Sequence, residues 1–207
     1  SSAAAVVGCS CSCNRSMATR GRVAAQKAAT HAHSSARQSS SSSRNLGASA
    51  VGIAGSAEKC RLLTENLGYR AAIDYRLGPI DMRLAELMPE GIDVFFDNVG
   101  GEILDAGLAQ LRRHARVVLC GAISQYIDGI ERPRPLNNAF AIFKKMARME
   151  AFFIYEMSEH FERAEAQMAE WITEGKLIYQ EDILDGLEQM PEALIRLFEG
   201  RNLGKQL

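Results

Sequence analysis

Ile92-Asp93-Val94-Phe95-Phe96-Asp97-Asn98-Val99-Gly100-Gly101-Glu102 is the stretch that decides the fold. Its first five residues form a mostly apolar run of strand length. The residues after Phe96 turn small and polar, which suits a turn that opens a helix. Apolar strands of this kind are buried on both faces, as in parallel sheets covered by helices. The helix after the glycine pair carries Ile103, Leu104, Leu108 and Leu111 at helical spacing.

The same grammar repeats outward. Ala50-Val51-Gly52-Ile53-Ala54 reads as a strand ending at Gly55-Ser56, followed by a helix with Ser56 as its cap and Gly68 as its stop. Ala71-Ala72-Ile73 reads as a second short strand, and Met82 to Met88 as a helix. Ala115 to Leu119 is the next strand, a helix falls near residues 137–146, and Ala151 to Tyr155 is strand-like. Ser158 to Glu174 and Met190 to Phe198 read as helices, the second with Pro191 in its first turn. Strand–helix alternation over this length predicts an α/β fold, a doubly wound, Rossmann-like parallel sheet with helices on both faces.

The totals are those of an ordinary globular chain: 207 residues, 47% hydrophobic, 24% charged, net charge −1. That charge gives no general reason to expect nucleic-acid binding, and no apolar run reaches the length of a membrane span. Charge is unevenly placed. Residues 1–57 hold no Asp or Glu and carry +6, so the remainder carries −7. Residues 1–48 are rich in Ser, Ala and Arg, include a serine run at residues 39–43, and show no sustained apolar period. They read as a disordered or non-native low-complexity segment, with residues 49–207 as a partial domain. An organelle transit segment is the competing reading of the basic stretch, and localisation is otherwise expected to be cytoplasmic. The Cys9, Cys11, Cys13 run has no second ligand pair at zinc-finger spacing, so no metal is expected. Cys60 and Cys120 sit in apolar context and are expected to be reduced core thiols.

The strand ends carry the candidate chemistry, because ligands of open parallel sheets bind at the carboxyl tips. A strand ending Gly55-Ser56 without an acid, with Lys59 one helical turn on, favours NADP over NAD. Taken alone, Lys59 is more simply a solvated lysine. Asn98 with Gly100 and Gly101 suits a ligand-approaching turn and a plain strand-to-helix turn equally. Cys120-Gly121-Ala122-Ile123-Ser124-Gln125-Tyr126 leaves room for a flat ring and ends on a hydroxyl, or on a loop aromatic that caps the sheet.

Six ordered segments together resemble one family. They are Gly55-Ser56 with Lys59, Asp74-Tyr75, Phe95 to Glu102, Cys120 to Tyr126, Arg148-Met149-Glu150-Ala151-Phe152, and Asn202-Leu203-Gly204-Lys205. From about Asn45 onward the chain is similar to the cofactor half of the zinc-independent medium-chain dehydrogenase/reductases, in the branch of NADPH-dependent alkenal, curcumin and prostaglandin reductases. The resemblance implies NADPH as cofactor and hydride transfer to the C=C bond of an α,β-unsaturated carbonyl, with a small enone or enal as substrate. It implies Lys59 at the adenosine 2′-phosphate, Ser56 among the cofactor-binding residues, Tyr75 beside the adenosine, and Asn98 near the pyrophosphate and ribose. Cys120, Gly121, Ala122, Ile123, Ser124 and Tyr126 would line the nicotinamide, covered by Phe152, Phe153 and Ile154, with Asn202 nearby. Tyr126, the catalytic candidate, or the cofactor ribose would donate the hydroxyl that stabilises charge on the carbonyl oxygen.

The chain departs from that family at its start. The glycine loop of the first strand–loop–helix unit is not recognisable, so the fold is expected to be incomplete there. The family's N-terminal catalytic domain is expected to be absent, leaving a truncated, weakly active or inactive form. A non-catalytic nucleotide-binding or interaction module is the alternative, and exposed sheet edges leave room for a homodimer.

Overall fold

The computed structural model describes residues 4–8, 48–128 and 134–207, with backbone alone for 4–8 and 126–128. Six parallel strands form one sheet in the order β3-β2-β1-β4-β5-β6. They are β1 (Ala4–Gly8), β2 (Ser49–Ala54), β3 (Ala71–Asp74), β4 (Ile92–Asp97), β5 (Leu111–Leu119) and β6 (Arg148–Ala151). This is the doubly wound Rossmann order, in which the chain leaves β1 in both directions and opens a crevice at the switch point.

Both faces are covered. Val51 and Ile53 of β2 join Phe95, Ile92 and Val117 in one core under α2 (Ile80–Leu87) and α3 (Gly101–Ala109), with Leu84, Leu104 and Leu108. Ala50 and Ala54, on the opposite face of β2, pack with Leu63, Leu67 and Tyr69. Leu63 belongs to a π-helical turn, Leu62–Asn66, that continues α1 (Ala57–Arg61). The period of two along β2 therefore serves two separate cores, as two covered faces require.

The parallel α/β reading is observed, with differences in detail. The first unit's strand is present, a correction to the reading of residues 1–48 as disordered or non-native throughout: Ala4–Gly8 pairs with β2 and β4, Val6 lying opposite both Val51 and Phe95. A five-residue central strand needs only a short apolar run, too brief to register as sustained periodicity. The expected glycine-loop gap falls within residues 9–47, outside the described residues. The expected strand at 115–119 is the regular part of a longer one. Leu111 pairs with Ile92, a bulge follows, and regular pairing resumes at Arg116 opposite Val94. The edge strand is shifted: it is Arg148–Ala151, and a 3-10 turn (Ile154–His160) replaces the expected strand end. All four β6 residues are exposed, so apolar content does not mark it; it pairs through its backbone from Arg116↔Arg148 to Leu119↔Ala151.

The rest follows in order: α4 (Ile123–Asp128), α5 (Phe140–Lys144), α6 (Phe161–Thr173) and α7 (Met190–Glu199). A small parallel pair, β7 (Glu181–Asp182) with β8 (Lys205–Gln206), closes the carboxyl-terminal part. Arg196 of α7 pairs with Asp182 at 2.9 Å, and the same carboxylate accepts the Leu203 N–H at 2.7 Å.

Candidate functional site

The carboxyl tips of the strands are level. Ala54 lies opposite Asp74, Asp97 opposite Leu119, and Leu119 opposite Ala151. Five of the six segments singled out in the sequence therefore emerge along one edge, in two groups flanking the tip of β1, and the sixth, Asn202 to Lys205, lies between α7 and β8. Two interstrand steps separate β2 from β4, about 10 Å.

The first group gathers at β2 and β3. Ser56 caps α1, its Oγ accepting the Lys59 N–H at 3.2 Å. Tyr75 folds back over Gly55, where a Cβ would fall 2.8 Å from its hydroxyl oxygen. Glycine at 55 is what lets the phenol reach the tip of β2. Arg76, not anticipated from sequence, sets its guanidinium 5.8 Å from the Tyr75 ring centre. Lys59 donates from Nζ to the Gly200 carbonyl oxygen at 2.5 Å, which ties α1 to the end of α7. A cation pair, a hydroxyl and a phenol around a glycine tip suit a phosphate-bearing adenosine better than a bare ribose.

The second group joins the β4 and β5 tips, and Asp97 organises it. This residue is fully buried. Its carboxylate accepts the Val99 N–H at 3.0 Å and the Gly100 N–H at 2.8 Å. Its own carbonyl accepts the N–H groups of Cys120 at 2.8 Å and Gly121 at 3.3 Å. One residue thus clamps both turns. Burial pushes its pKa up to about 6, and the two N–H donors oppose that rise. Sequence reading missed this role, because an acid at a strand end looks the same whether it faces a ligand or folds a turn.

The β5 turn docks on the β4 turn through backbone. Ile123 N–H donates to the Asn98 carbonyl at 3.2 Å, and Ser124 donates from N at 3.0 Å and from Oγ at 2.6 Å to the Val99 carbonyl. Ser124 therefore spends its hydroxyl on the scaffold. Asn98 borders Gly121, whose Cβ, if present, would lie 3.3 Å from the Asn98 carbonyl oxygen. Ala122 is half-buried in the same turn, and Tyr126 lies on α4 three residues beyond Ile123.

Two expectations change here. Cys120 is not a core thiol but an exposed residue, because β5 emerges at Leu119. Partial desolvation first, and the Asp97 charge second, raise its thiol pKa. Asn202 is buried, and its Nδ2 donates to the Gly204 carbonyl at 2.8 Å, so its amide shapes the α7–β8 turn. Phe152 reaches the second group, its ring 6.3 Å from that of Phe96 in a tilted pair. Phe153 is exposed and Ile154 half-buried as the chain enters its 3-10 turn. A shallow depression lined by Phe140, Ile142, Phe143 and Met146 lies at the opposite end of β6 from these tips. Among the described residues, no three His, Cys, Asp or Glu side chains converge as a metal site would require.

Residues 41–173 match the zinc-binding dehydrogenase family. The chain belongs to that family. Within it, the relatives bear out the resemblance to alkenal and curcumin reductases. The family member is 39% identical over 163 residues to the NADP(+)-dependent 2-alkenal reductase of Nicotiana tabacum, covering 78% of this chain and 47% of the relative. It is 39% identical over 165 residues to the NADPH-dependent curcumin reductase of Escherichia coli, covering 77% and 47%. The crystal structure of CurA in complex with NADPH from Vibrio vulnificus superposes with a TM-score of 0.79 at 29% identity, covering 99% of this chain and 56% of that one. This dehydrogenase-family chain spans about half the length of the curated relatives it matches. Among its described residues, no helix is long and apolar enough to cross a membrane.

Proposed function

We propose that this chain is the NADPH-binding part of a reductase that saturates the C=C bond of α,β-unsaturated carbonyl compounds. The observation that carries the reading is the acid-free tip of β2, with Lys59 and Tyr75 beside it, at the edge where the switch-point crevice of a 3-2-1-4-5-6 sheet opens. The names of the relatives, reductases of alkenals and curcumin that use NADP(H), supply the reaction class. NADPH, when bound, supplies the hydride.

The chain's own residues bind, space and orient. Lys59, with Ser56 at the same helix start, meets the 2′-phosphate, and Tyr75 lies along the adenosine. The turn held by Asp97 presents Asn98 toward the pyrophosphate and ribose. Cys120, Gly121, Ala122 and Ile123 form the small-residue floor for the nicotinamide, with Phe152, Phe153 and Ile154 as its apolar cover and Asn202 bracing the neighbouring turn. Tyr126 offers the hydroxyl that steadies the carbonyl oxygen as negative charge grows on it.

Fluorescence titration with both reduced cofactors tests this. A charge-assisted contact is worth about 1.5–3 kcal/mol, so Lys59→Ala weakens NADPH binding about ten- to a hundredfold while leaving NADH unchanged. Equal affinity for the two cofactors in the unaltered chain would remove the reading.

The proposal extends to self-association along β6. An antiparallel pairing centred on Met149 sets Arg148 opposite Glu150 of a second copy twice, on an edge where all four residues are exposed. Sedimentation velocity should show a dimer that Met149→Pro converts to monomer. A monomer at all concentrations rejects the extension and leaves the cofactor reading intact.

A further inference from the structure

Lys59 does more than face the crevice. Its Nζ sits 2.5 Å from the carbonyl oxygen of Gly200, which is the C-terminal cap of α7 with φ of 67°. Carbonyls in the last turn of a helix lack intrahelical partners and form the negative end of its dipole, so a cation there is stabilising. The other cations of this turn are engaged within the carboxyl-terminal part itself. Arg196 pairs with Asp182 at 2.9 Å, and Arg201 with Glu192 at 2.8 Å and Glu199 at 2.5 Å. Lys59 comes from α1, 141 residues earlier in sequence.

We infer that the C-terminal turn of α7 and the 2′-phosphate of a bound dinucleotide compete for the Lys59 ammonium, so that filling the phosphate subsite loosens the α7–β8 connection. This rests on the reading of Lys59 as the 2′-phosphate contact. The two acceptors would lie close together. A phosphate oxygen within hydrogen-bond reach of Nζ lies no more than about 6 Å from the Gly200 carbonyl. A dianion at the negative end of a helix is unfavourable, and the Lys59 charge that stabilises that end is drawn toward the phosphate. The coupling is reciprocal: the hold of Gly200 on Lys59 reduces phosphate affinity by the factor that phosphate loosens the turn.

The segment is built to pass such a change on. The Gly200 and Arg201 N–H groups donate to Leu197 at 3.3 Å and Arg196 at 2.9 Å, closing the helix. Beyond them, Leu203 N–H is held by Asp182, buried Asn202 holds Gly204, and Lys205 N–H donates to Gln180 at 2.8 Å as β8 begins. A release at Gly200 therefore reaches the β7–β8 pair within five residues.

Amide hydrogen exchange of the full chain tests the coupling, with adenosine 2′,5′-bisphosphate and adenosine 5′-monophosphate as probes and calorimetry to establish saturation. With the bisphosphate bound, the Gly200 and Arg201 amides should exchange about two- to fivefold faster, the range expected for losing a charge at a helix end. The monophosphate should leave them unchanged. In Lys59→Gln these amides should exchange faster before any probe is added, with no further change on bisphosphate. Bisphosphate that binds in preference to the monophosphate without speeding these amides overturns the coupling and leaves the cofactor reading standing. No preference between the probes overturns both.

Discussion

Phe95→Ala lowers the unfolding free energy by about 4 kcal/mol, within the range seen when a buried aromatic ring is removed. Against a typical total of about 5–15 kcal/mol, that brings the domain close to its unfolding threshold. Phe95 is fully buried at the middle of β4, opposite Val6 on one side and Val117 on the other. Its ring lies flat on α3 at Gly107, where a Cβ would stand 2.6–2.8 Å from three ring carbons. That contact gives the prediction a second arm. In the unaltered chain, Gly107→Ala is destabilising, because displacing an enclosed ring costs about 1–3 kcal/mol, more than the roughly 1 kcal/mol that alanine contributes to a helix. In the Phe95→Ala background the ring is gone, so Gly107→Ala becomes stabilising. Urea unfolding of the four proteins, followed by far-ultraviolet circular dichroism, reads the reversal directly. An equal effect of Gly107→Ala in both backgrounds would mean that ring and helix are not in contact.

The second large effect belongs to Asp97 and acts through pH. Unfolded, its carboxyl titrates near 3.8; buried in the native chain, it titrates at about 6. The native state therefore holds the proton more tightly between those values. The group's contribution to stability is full below about pH 4, declines as pH rises, and is lost above about pH 6. At about 1.4 kcal/mol per unit the change amounts to about 3 kcal/mol. This direction is opposite to that of a salt-bridged carboxylate. Asp97→Asn keeps the shape and removes the titration. The stability of the unaltered chain minus that of Asp97→Asn should fall by about 3 kcal/mol between pH 3 and pH 7 in urea unfolding. Parallel stability curves across that range would show that the carboxyl is not buried as described. At neutral pH the charged, buried carboxylate still closes the Asn98 turn by accepting the Val99 and Gly100 N–H groups, which no apolar side chain can do.

What the sequence discloses of all this depends on the range of the forces involved. β2, β3, β4 and β5 are legible because a strand covered on both faces must be apolar, and its exit must be small and polar. Ser56 as the cap of α1 is legible because its partner, the Lys59 N–H, is three residues away. β6 is not, since an edge strand that pairs only through its backbone leaves no trace in side-chain polarity. β1 is too short for periodicity to report. Within the site, Lys59 can be named from local pattern and Tyr75 from the family resemblance, but Gly200 as the acceptor for Lys59 follows from neither. A contact across 141 residues has no local signature. Cys120 is misjudged by a single position: the buried strand ends at Leu119, and the thiol one residue on is already in the open.

The position of β1 has a practical corollary. Residues 4–8 lie between partners drawn from residues 49–54 and 92–97, so they act as a keystone between β2–β3 and β4–β5–β6. An endopeptidase nick between Gly8 and Ser49 would leave this piece joined to β2 and β4 without a covalent link, and the domain would become a two-part assembly. Its short part is small enough to synthesise, which makes the protein a candidate for fragment complementation, with a labelled peptide restoring the sheet to a chain that begins at Ser49.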